Sequence, residues 1–254
     1  GIGNSTDRQR IPAVLIIPGG AFRRLVYNFE GEDVTKWLNS MGIAAFVLEC
    51  RLPSDEHDNA EDVPLIDAMR AMRVIRGRAQ EFGIDEAKIG VMGFSAGGFM
   101  AALLSTAYES DVYADYKYKD EYDELSARPD FAVCSYPVIS IDDCIEAGKR
   151  YMSEEQVLER ISDSKAKILH KYNPDKLVRP DMPPVFICET DDDRTTLSEN
   201  SVGFYMAARK AGVSAELHIF RTGGHGYGCG DDFAQTGEWK VLFTKWIKSI
   251  GIIS

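Results

Sequence analysis

No apolar run in this chain is long enough to cross a membrane, no signal-peptide pattern opens it, and no repeat or low-complexity tract interrupts it. Positive charge is scarce: 29 Lys and Arg stand against 40 Asp and Glu, a formal net charge of −11. Nucleic acid and anionic membranes attract basic surfaces, so neither is an expected partner. The five cysteines (Cys50, Cys134, Cys144, Cys188 and Cys229) are odd in number and lack the paired spacing of a metal site or a disulfide framework. No metal site is expected. Cys50, Cys134 and Cys188 lie in apolar, strand-like runs, where a thiol serves as a small hydrophobe. That usage points to a reducing, cytoplasmic compartment. The opening Gly1-Ile2-Gly3-Asn4, without Met, leaves an upstream secretion signal open.

What is present is a rhythm. Apolar runs at 11–17, 43–49, 89–94, 131–136, 185–188 and 215–220 alternate with helical patterns at 32–41, 64–82, 198–211 and 233–250. Most of the runs are continuous rather than alternating, as in strands covered on both faces. Strand–helix–strand repetition over 254 residues predicts one domain, 1–254, of the α/β class: a doubly wound, mainly parallel sheet with helices on both faces. Gly42, Gly83 and Gly212 each fall just past a helical pattern, where a left-handed residue ends a helix. Two segments break the rhythm: a charged, tyrosine-rich stretch at 108–128, and a polar, helical-looking insertion at 142–181 with helices expected at 153–161 and 164–170. Insertions at strand C-terminal ends overhang the site in open α/β sheets, so the second is a candidate lid; a surface elaboration fits it equally.

The run 89–94 ends in Gly93-Phe94-Ser95-Ala96-Gly97, and a helical pattern (Phe99, Met100, Leu103, Leu104) begins at once. A strand, a sharp turn and a helix would lift the Ser95 hydroxyl above the sheet edge, with the Ala96 N–H facing a developing oxyanion. Alone the pentapeptide is weak, because a serine there also serves as a plain helix cap. A base is available in Gly223-Gly224-His225-Gly226-Tyr227-Gly228, a glycine-rich loop after the last strand with no apolar face to bury the imidazole. His57 and His170 sit in polar, surface-like contexts, and His218 lies within a strand. An acid is available in Asp191-Asp192-Asp193 after run 185–190, giving the chain order Ser, Asp, His. Pro18-Gly19-Gly20-Ala21 follows the first strand and offers the N–H of Gly20 or Ala21 to the same oxyanion. Together these predict acyl transfer. Ser95 attacks, His225 shuttles the proton, and an aspartate orients His225.

On these residues the chain resembles the α/β-hydrolase superfamily, and within it the small bacterial carboxylesterases of the acetyl-xylan-esterase-like, lipase/esterase-like kind. The matching stretches run from Ile17-Pro18-Gly19-Gly20-Ala21-Phe22 through Phe46–Leu52 and Gly93–Gly98 to Gly224-His225-Gly226. The resemblance implies a single-domain serine esterase hydrolysing short-chain acyl esters, acetylated carbohydrates among them, without a cofactor. Its partner would be a small-molecule or oligosaccharide ester; a homo-oligomer stays open. It carries Ser95 and His225 over directly and favours Asp193 over Asp192 as the acid. Glu189 stands where the family usually has His, Leu197 where it has Pro, and Ala21 where a third Gly is common. The Ala21 methyl is tolerable if the backbone there keeps φ negative. Phe22, Arg23 and Tyr227 are expected at the substrate pocket, or packing the loops down. The few residues before Ile11 imply about six core strands and an abbreviated N-terminal edge. The competing readings are a prolyl-oligopeptidase-type serine peptidase, an acyltransferase, and a non-catalytic binding module on the same scaffold.

Overall fold

A computed structural model describes residues 10–53, 55, 57–114, 116–162, 167–230 and 235–254. The six apolar runs are strands β1 (Ile11–Ile17), β2 (Ala44–Val47), β3 (Ile84–Phe94), β4 (Ala132–Ser135), β5 (Val185–Thr190) and β6 (Ala215–Phe220). They form one sheet in the order β2-β1-β3-β4-β5-β6, and every neighbouring pair is parallel. The inner strands β4 and β5 are buried at every residue, whereas β2 and β6, at the two edges, are half-exposed. Burial on both faces explains the unbroken apolar runs. The expected abbreviation ahead of Ile11 falls largely outside the described residues.

Successive residues of β1 feed two different cores. Ala13, Leu15 and Ile17 pack with helices α2 (Val63–Gly77), α4 (Ala96–Ala107) and α8 (Ser198–Lys210). Val14 and Ile16 pack on the other face with α1 (Asp33–Ser40) and α9 (Glu238–Ser249), where Trp239, Phe243 and Trp246 are buried. Helices therefore cover both faces, as the period-2 side-chain alternation of a strand requires. Gly42, Gly83 and Gly212 have φ of 75°, 67° and 81° just past helix ends. The pattern at 64–82 is two helices rather than one. Arg78 leaves helical geometry (φ −99°, ψ 17°), and a short α3 (Ala79–Phe82) follows. Strand β3 also begins five residues before its apolar run, because Asp85, Glu86, Ala87 and Lys88 lie where the sheet meets solvent.

The insertion contains α5 (Ile141–Lys149), α6 (Glu154–Ser162) and α7 (Lys167–Lys171); residues 163–166 of the expected second helix lie outside the described ones. The tyrosine-rich stretch forms short 3₁₀ turns held against α2: Arg70 pairs with Asp120 and Asp123, and the Arg73 guanidinium lies 4.0 Å over the Tyr113 ring. All six strands point one way, so the loops after β1, β3, β5 and β6 gather along one edge of the sheet. That edge is where ligands bind in such folds.

Candidate active site

Strand β3 hands directly to α4 through Ser95, whose backbone is at φ 53° and ψ −117°. A non-glycine residue there stores on the order of 1–3 kcal/mol of strain, which the surroundings must hold. The Ser95 N–H donates to the Ser135 carbonyl of β4 (3.0 Å), and the Ser95 carbonyl accepts from Phe99 N–H (3.0 Å). The turn leaves no space for side chains on either side. A Cβ on Gly93 would run into the Gly97 carbonyl, and one on Gly97 into the carbonyl of Ile17.

The loop after β6 brings His225 over this serine. His225 Nε2 lies 2.9 Å from Ser95 Oγ, and Nδ1 lies 2.7 Å from Asp193 Oδ2. Asp193 is buried and accepts further hydrogen bonds from the N–H groups of Thr195 (2.7 Å) and Thr196 (3.0 Å) and from the Thr196 hydroxyl (2.9 Å). Burial alone would raise its pKa. The hydrogen bond and charge of His225, with the two backbone N–H groups, outweigh burial and hold the carboxyl below its ordinary 3.8. An ionised carboxylate only accepts, so Nδ1 carries the imidazole proton and Nε2 turns a lone pair toward Ser95. A hydroxyl, imidazole and carboxylate so aligned can activate an oxygen nucleophile. Asp192 does different work: its Oδ1 accepts from Gly224 N–H (2.8 Å), and the Thr190 hydroxyl donates to the Gly224 carbonyl (2.9 Å), so together they pin the histidine loop.

The loop after β1 corrects one expectation. Ala21 has φ 54° and Phe22 φ 56°, on the positive side, where a Cβ is strained. A tight turn forces this. Arg23 and Arg24 N–H groups both reach the Gly20 carbonyl (3.0 and 3.3 Å), and the Phe22 ring is pulled inward edge-on against Phe99, centroids 5.7 Å apart. Gly19 N–H is committed to Glu30 Oε2 (2.7 Å), while the N–H groups of Gly20, Ala21 and Ala96 have no acceptor among the described residues. Those three donors are therefore available to an anion beside Ser95.

Two residues essential to this geometry escaped the sequence reading. Glu30, in a five-residue π-helical turn (Asn28–Glu32), is 3% exposed and accepts from Gly19 N–H and from the Tyr136 hydroxyl (2.8 Å). The Tyr136 oxygen in turn accepts from Gly228 N–H (3.1 Å), and its ring stands edge-on to His225, centroids 5.1 Å apart. One buried carboxyl and one buried phenol thus tie the loops after β1, β4 and β6 together. Burial raises the Glu30 pKa above 4.5, opposed by the Tyr136 and Gly19 hydrogen bonds and the nearby His225. The only visible signal was Tyr136-Pro137 at a strand end; a lone acid among polar neighbours carried none.

Residues 3–207 match the BD-FAE family. The chain belongs to the BD-FAE family. It is 31% identical over 240 residues to an acetylxylan esterase of Xylanibacter ruminicola, a match covering 94% of this chain and 45% of that protein. A structure titled acetyl ester-xyloside bifunctional hydrolase from Caldicellulosiruptor lactoaceticus superposes with a TM-score of 0.81 at 37% identity, covering 99% of this chain and 86% of the other. A thermophilic esterase of Thermogutta terrifontis, solved with propionate bound, superposes with a TM-score of 0.74 at 27% identity over 97% and 86% of the two chains. The chain spans less than half the length of the curated relatives it matches. Its parallel sheet, covered on both faces, is the α/β-hydrolase fold of these esterases.

Around the Ser95 turn, the expected pocket residues take different places. Phe22 is 7% exposed and walls an apolar slot with Pro18, Leu25, Ala96 and Met100 that offers about 10 Å³, room for one water-sized group. Arg23 is exposed on the surface of the loop. Tyr227 is turned inward. It is 5% exposed, its ring packed edge-on against Tyr136 at 4.5 Å, and it braces the histidine loop from below. On the acid side, Arg150, Tyr151, Asp191, Asp192, Asp193 and Arg194 border a polar pocket of about 340 Å³. A separate cavity of about 960 Å³ is lined by Arg51, His57, Asp62 and Tyr116 among others, and by none of Ser95, Asp193 and His225.

Proposed function

We propose that this chain is a serine esterase that removes short acyl groups, acetyl above all, from carbohydrate esters. The observation that carries the reading is the continuous hydrogen-bonded chain from Ser95 Oγ through His225 to a buried, ionised Asp193, set beside three uncommitted N–H groups. Ser95 Oγ attacks the acyl carbon as its proton passes to His225 Nε2. The oxyanion settles on the N–H groups of Ala96 and of Gly20 or Ala21. Asp193 stabilises the imidazolium, which then protonates the departing sugar oxygen. Water attacks the acyl-enzyme by the same steps in reverse, releasing the acid and restoring Ser95.

Substrate class rests on two supports besides the relatives. The slot walled by Phe22, Ala96 and Met100, beside the Ala96 N–H, has room for about one water-sized group, which disfavours long acyl chains. The polar pocket bordered by Tyr151, Asp192 and Arg194 offers hydrogen-bonding groups and an aromatic ring, which suit sugar hydroxyls and a pyranose face. The whole of 1–254 serves as one hydrolase domain, with the insertion as a lid. In support of the lid, Arg150 pairs with Glu199 (2.9 Å) and the Arg194 guanidinium lies 5.5 Å over the Tyr151 ring, so the insertion is latched to the acid loop by polar contacts that water can replace. The free cysteines favour a reducing, cytoplasmic setting, where the substrate would be an acetylated oligosaccharide rather than a polymer.

The test compares the parent with Ser95→Ala on aryl esters of increasing acyl length, aminoacyl amides and acetylated xylo-oligosaccharides. Acetyl esters should be cleaved fastest and amides left intact, and the variant should lose about 10³-fold or more. Comparable turnover by the variant would remove Ser95 from the mechanism, and faster cleavage of amides would turn the reading toward a peptidase.

A further inference from the structure

A second acid lies directly behind Asp193. Glu189, one residue from the C-terminal end of β5, has 0% of its surface exposed. Its Oε1 accepts from Thr190 N–H (2.9 Å), its Oε2 lies 3.4 Å from the Ser201 hydroxyl of α8, and the Asp193 carboxyl is its nearest charged neighbour. Among the described residues no Lys, Arg or His pairs with it. The titratable groups facing it are Asp193 from the acid loop, Tyr227 from the histidine loop and Cys188 from its own strand. None of them is a cation.

Two neighbouring carboxyls, both shut from water and with no cation paired to Glu189, cannot both be ionised, so one keeps a proton. The surroundings decide which. Asp193 receives four donors besides Glu189: Thr195 N–H, Thr196 N–H, the Thr196 hydroxyl and His225 Nδ1–H. Glu189 receives one backbone N–H at good distance and one long hydroxyl contact. Negative charge therefore belongs on Asp193 and the shared proton on Glu189.

We propose that Glu189 is a positioning residue of the triad: a neutral, buried carboxylic acid that donates its O–H to the Asp193 carboxylate and so fixes the group that fixes His225. The pKa directions agree. Burial and the neighbouring Asp193 raise Glu189 well above its ordinary value, while Asp193 is held below its own. The proposal rests on Asp193 being the acid of the esterase site. It adds a fourth member to the proton-bearing chain, in which Glu189 O–H points to Asp193, His225 Nδ1–H to Asp193, and Ser95 O–H to His225 Nε2.

Three measurements on the intact chain test it. Infrared difference spectroscopy of the parent minus Glu189→Gln at neutral pH should show the C=O stretch of a protonated carboxylic acid. Glutamine keeps an acceptor for Thr190 N–H and can donate an amide N–H to Asp193 without changing charge. The acid limb of its kcat/KM profile should therefore coincide with that of the parent, with activity within about threefold. Glu189→Leu fills the space but removes the donor. Its kcat should fall about tenfold with KM nearly unchanged, and its acid limb should move to higher pH because Asp193 then carries an undiluted charge. The proposal is overturned by a missing infrared band. It is equally overturned by an acid limb in Glu189→Gln displaced downward by about one pH unit, which would mean that a negative charge had been removed. Parent-like kcat and pH profile in Glu189→Leu would reduce Glu189 to a space-filler. The infrared band requires no turnover. If it is present while the parent hydrolyses no ester, the esterase reading fails and the shared proton stands.

Discussion

Glu30 offers the sharpest test of how the site is held together. Replacing it with Ala removes the acceptor of two buried donors, Gly19 N–H at 2.7 Å and the Tyr136 hydroxyl at 2.8 Å. Each donor left unsatisfied costs roughly 1–3 kcal/mol. Loss of the side-chain volume adds to this, whereas removing a carboxyl buried to 3% exposure recovers part of its desolvation cost. We expect a net destabilisation of about 3 kcal/mol, a large share of a typical total of roughly 5–15 kcal/mol. Glu30→Gln can keep its oxygen against Gly19 N–H and turn its amide toward Tyr136 Oη, so it should cost only about 1 kcal/mol. The effect on rate should exceed what stability alone suggests. Gly19 is the residue before the free N–H groups of Gly20 and Ala21, and a shift on the order of 1 Å in positioned groups costs about 10²-fold. That loss should fall on kcat, since an oxyanion contact exists mainly in the transition state. Urea unfolding and steady-state hydrolysis of an aryl acetate measure the two effects. A double-mutant cycle with Tyr136→Phe should return a coupling of about 1 kcal/mol or more. If Glu30→Ala unfolds within about 0.5 kcal/mol of the parent, or loses stability while kcat is untouched, the tie between the loops is not what positions the donors.

The remaining predictions use the same assays. Glu30 has its folded pKa raised above the unfolded value near 4.5, so its contribution is complete below that value and fades as pH climbs through the folded one. The parent's stability advantage over Glu30→Gln should accordingly be larger at about pH 4 than at about pH 7, and a constant difference in urea midpoints would contradict this. Asp193→Asn should lower kcat by about 10⁴-fold, because an amide can donate to Nδ1 and invert the tautomer, whereas Asp192→Asn should stay within about tenfold. The reverse ranking would move the acid to Asp192. Ala21→Gly should keep activity and stay within about 1 kcal/mol of the parent, since relief of left-handed strain is offset by chain entropy; Ala21→Val should lose about 2 kcal/mol or more on thermal unfolding.

Much of this architecture can be read from residue order because burial on both faces writes itself as unbroken apolar runs. Ile11–Ile17 is a strand residue for residue, and the glycines at 42, 83 and 212 end helices with left-handed φ. Gly93 and Gly97 were equally legible, since only a hydrogen fits where each meets a backbone carbonyl. The misses have a common cause. Strand β3 extends back to Ile84 because Ile84 pairs with Ile11, and the polar Asp85–Lys88 lie in the register shift between that pair and Ala13–Ile89. Ala21 takes a positive φ because Phe22 is drawn into the core at Phe99, a contact far away in sequence. Glu30 and Tyr136 meet across 106 residues, so neither looks unusual in its own neighbourhood.

The division of labour between apolar and polar groups follows from those distances. A parallel sheet brings the ends of β1, β3, β5 and β6 to one edge, but hydrophobic packing is non-directional and sets position only to within the slack of its contacts. Proton transfer between Ser95 and His225 needs a hydrogen bond of defined length and angle. The directional element here is a set of buried acids and hydroxyls, with Glu30 and Tyr136 beneath the loops and Glu189 and Thr196 behind Asp193, each at 3% exposure or less. Such groups are costly to bury, and a sequence selected for stability alone would replace them with aliphatic residues. Apolar substitutions at Glu30 and Glu189 should therefore separate rate from stability, lowering kcat by a factor that their effect on unfolding does not account for. Substitutions in the sheet core, such as Val133→Ala or Ile187→Ala, should lower stability and leave kcat of the folded fraction nearly unchanged.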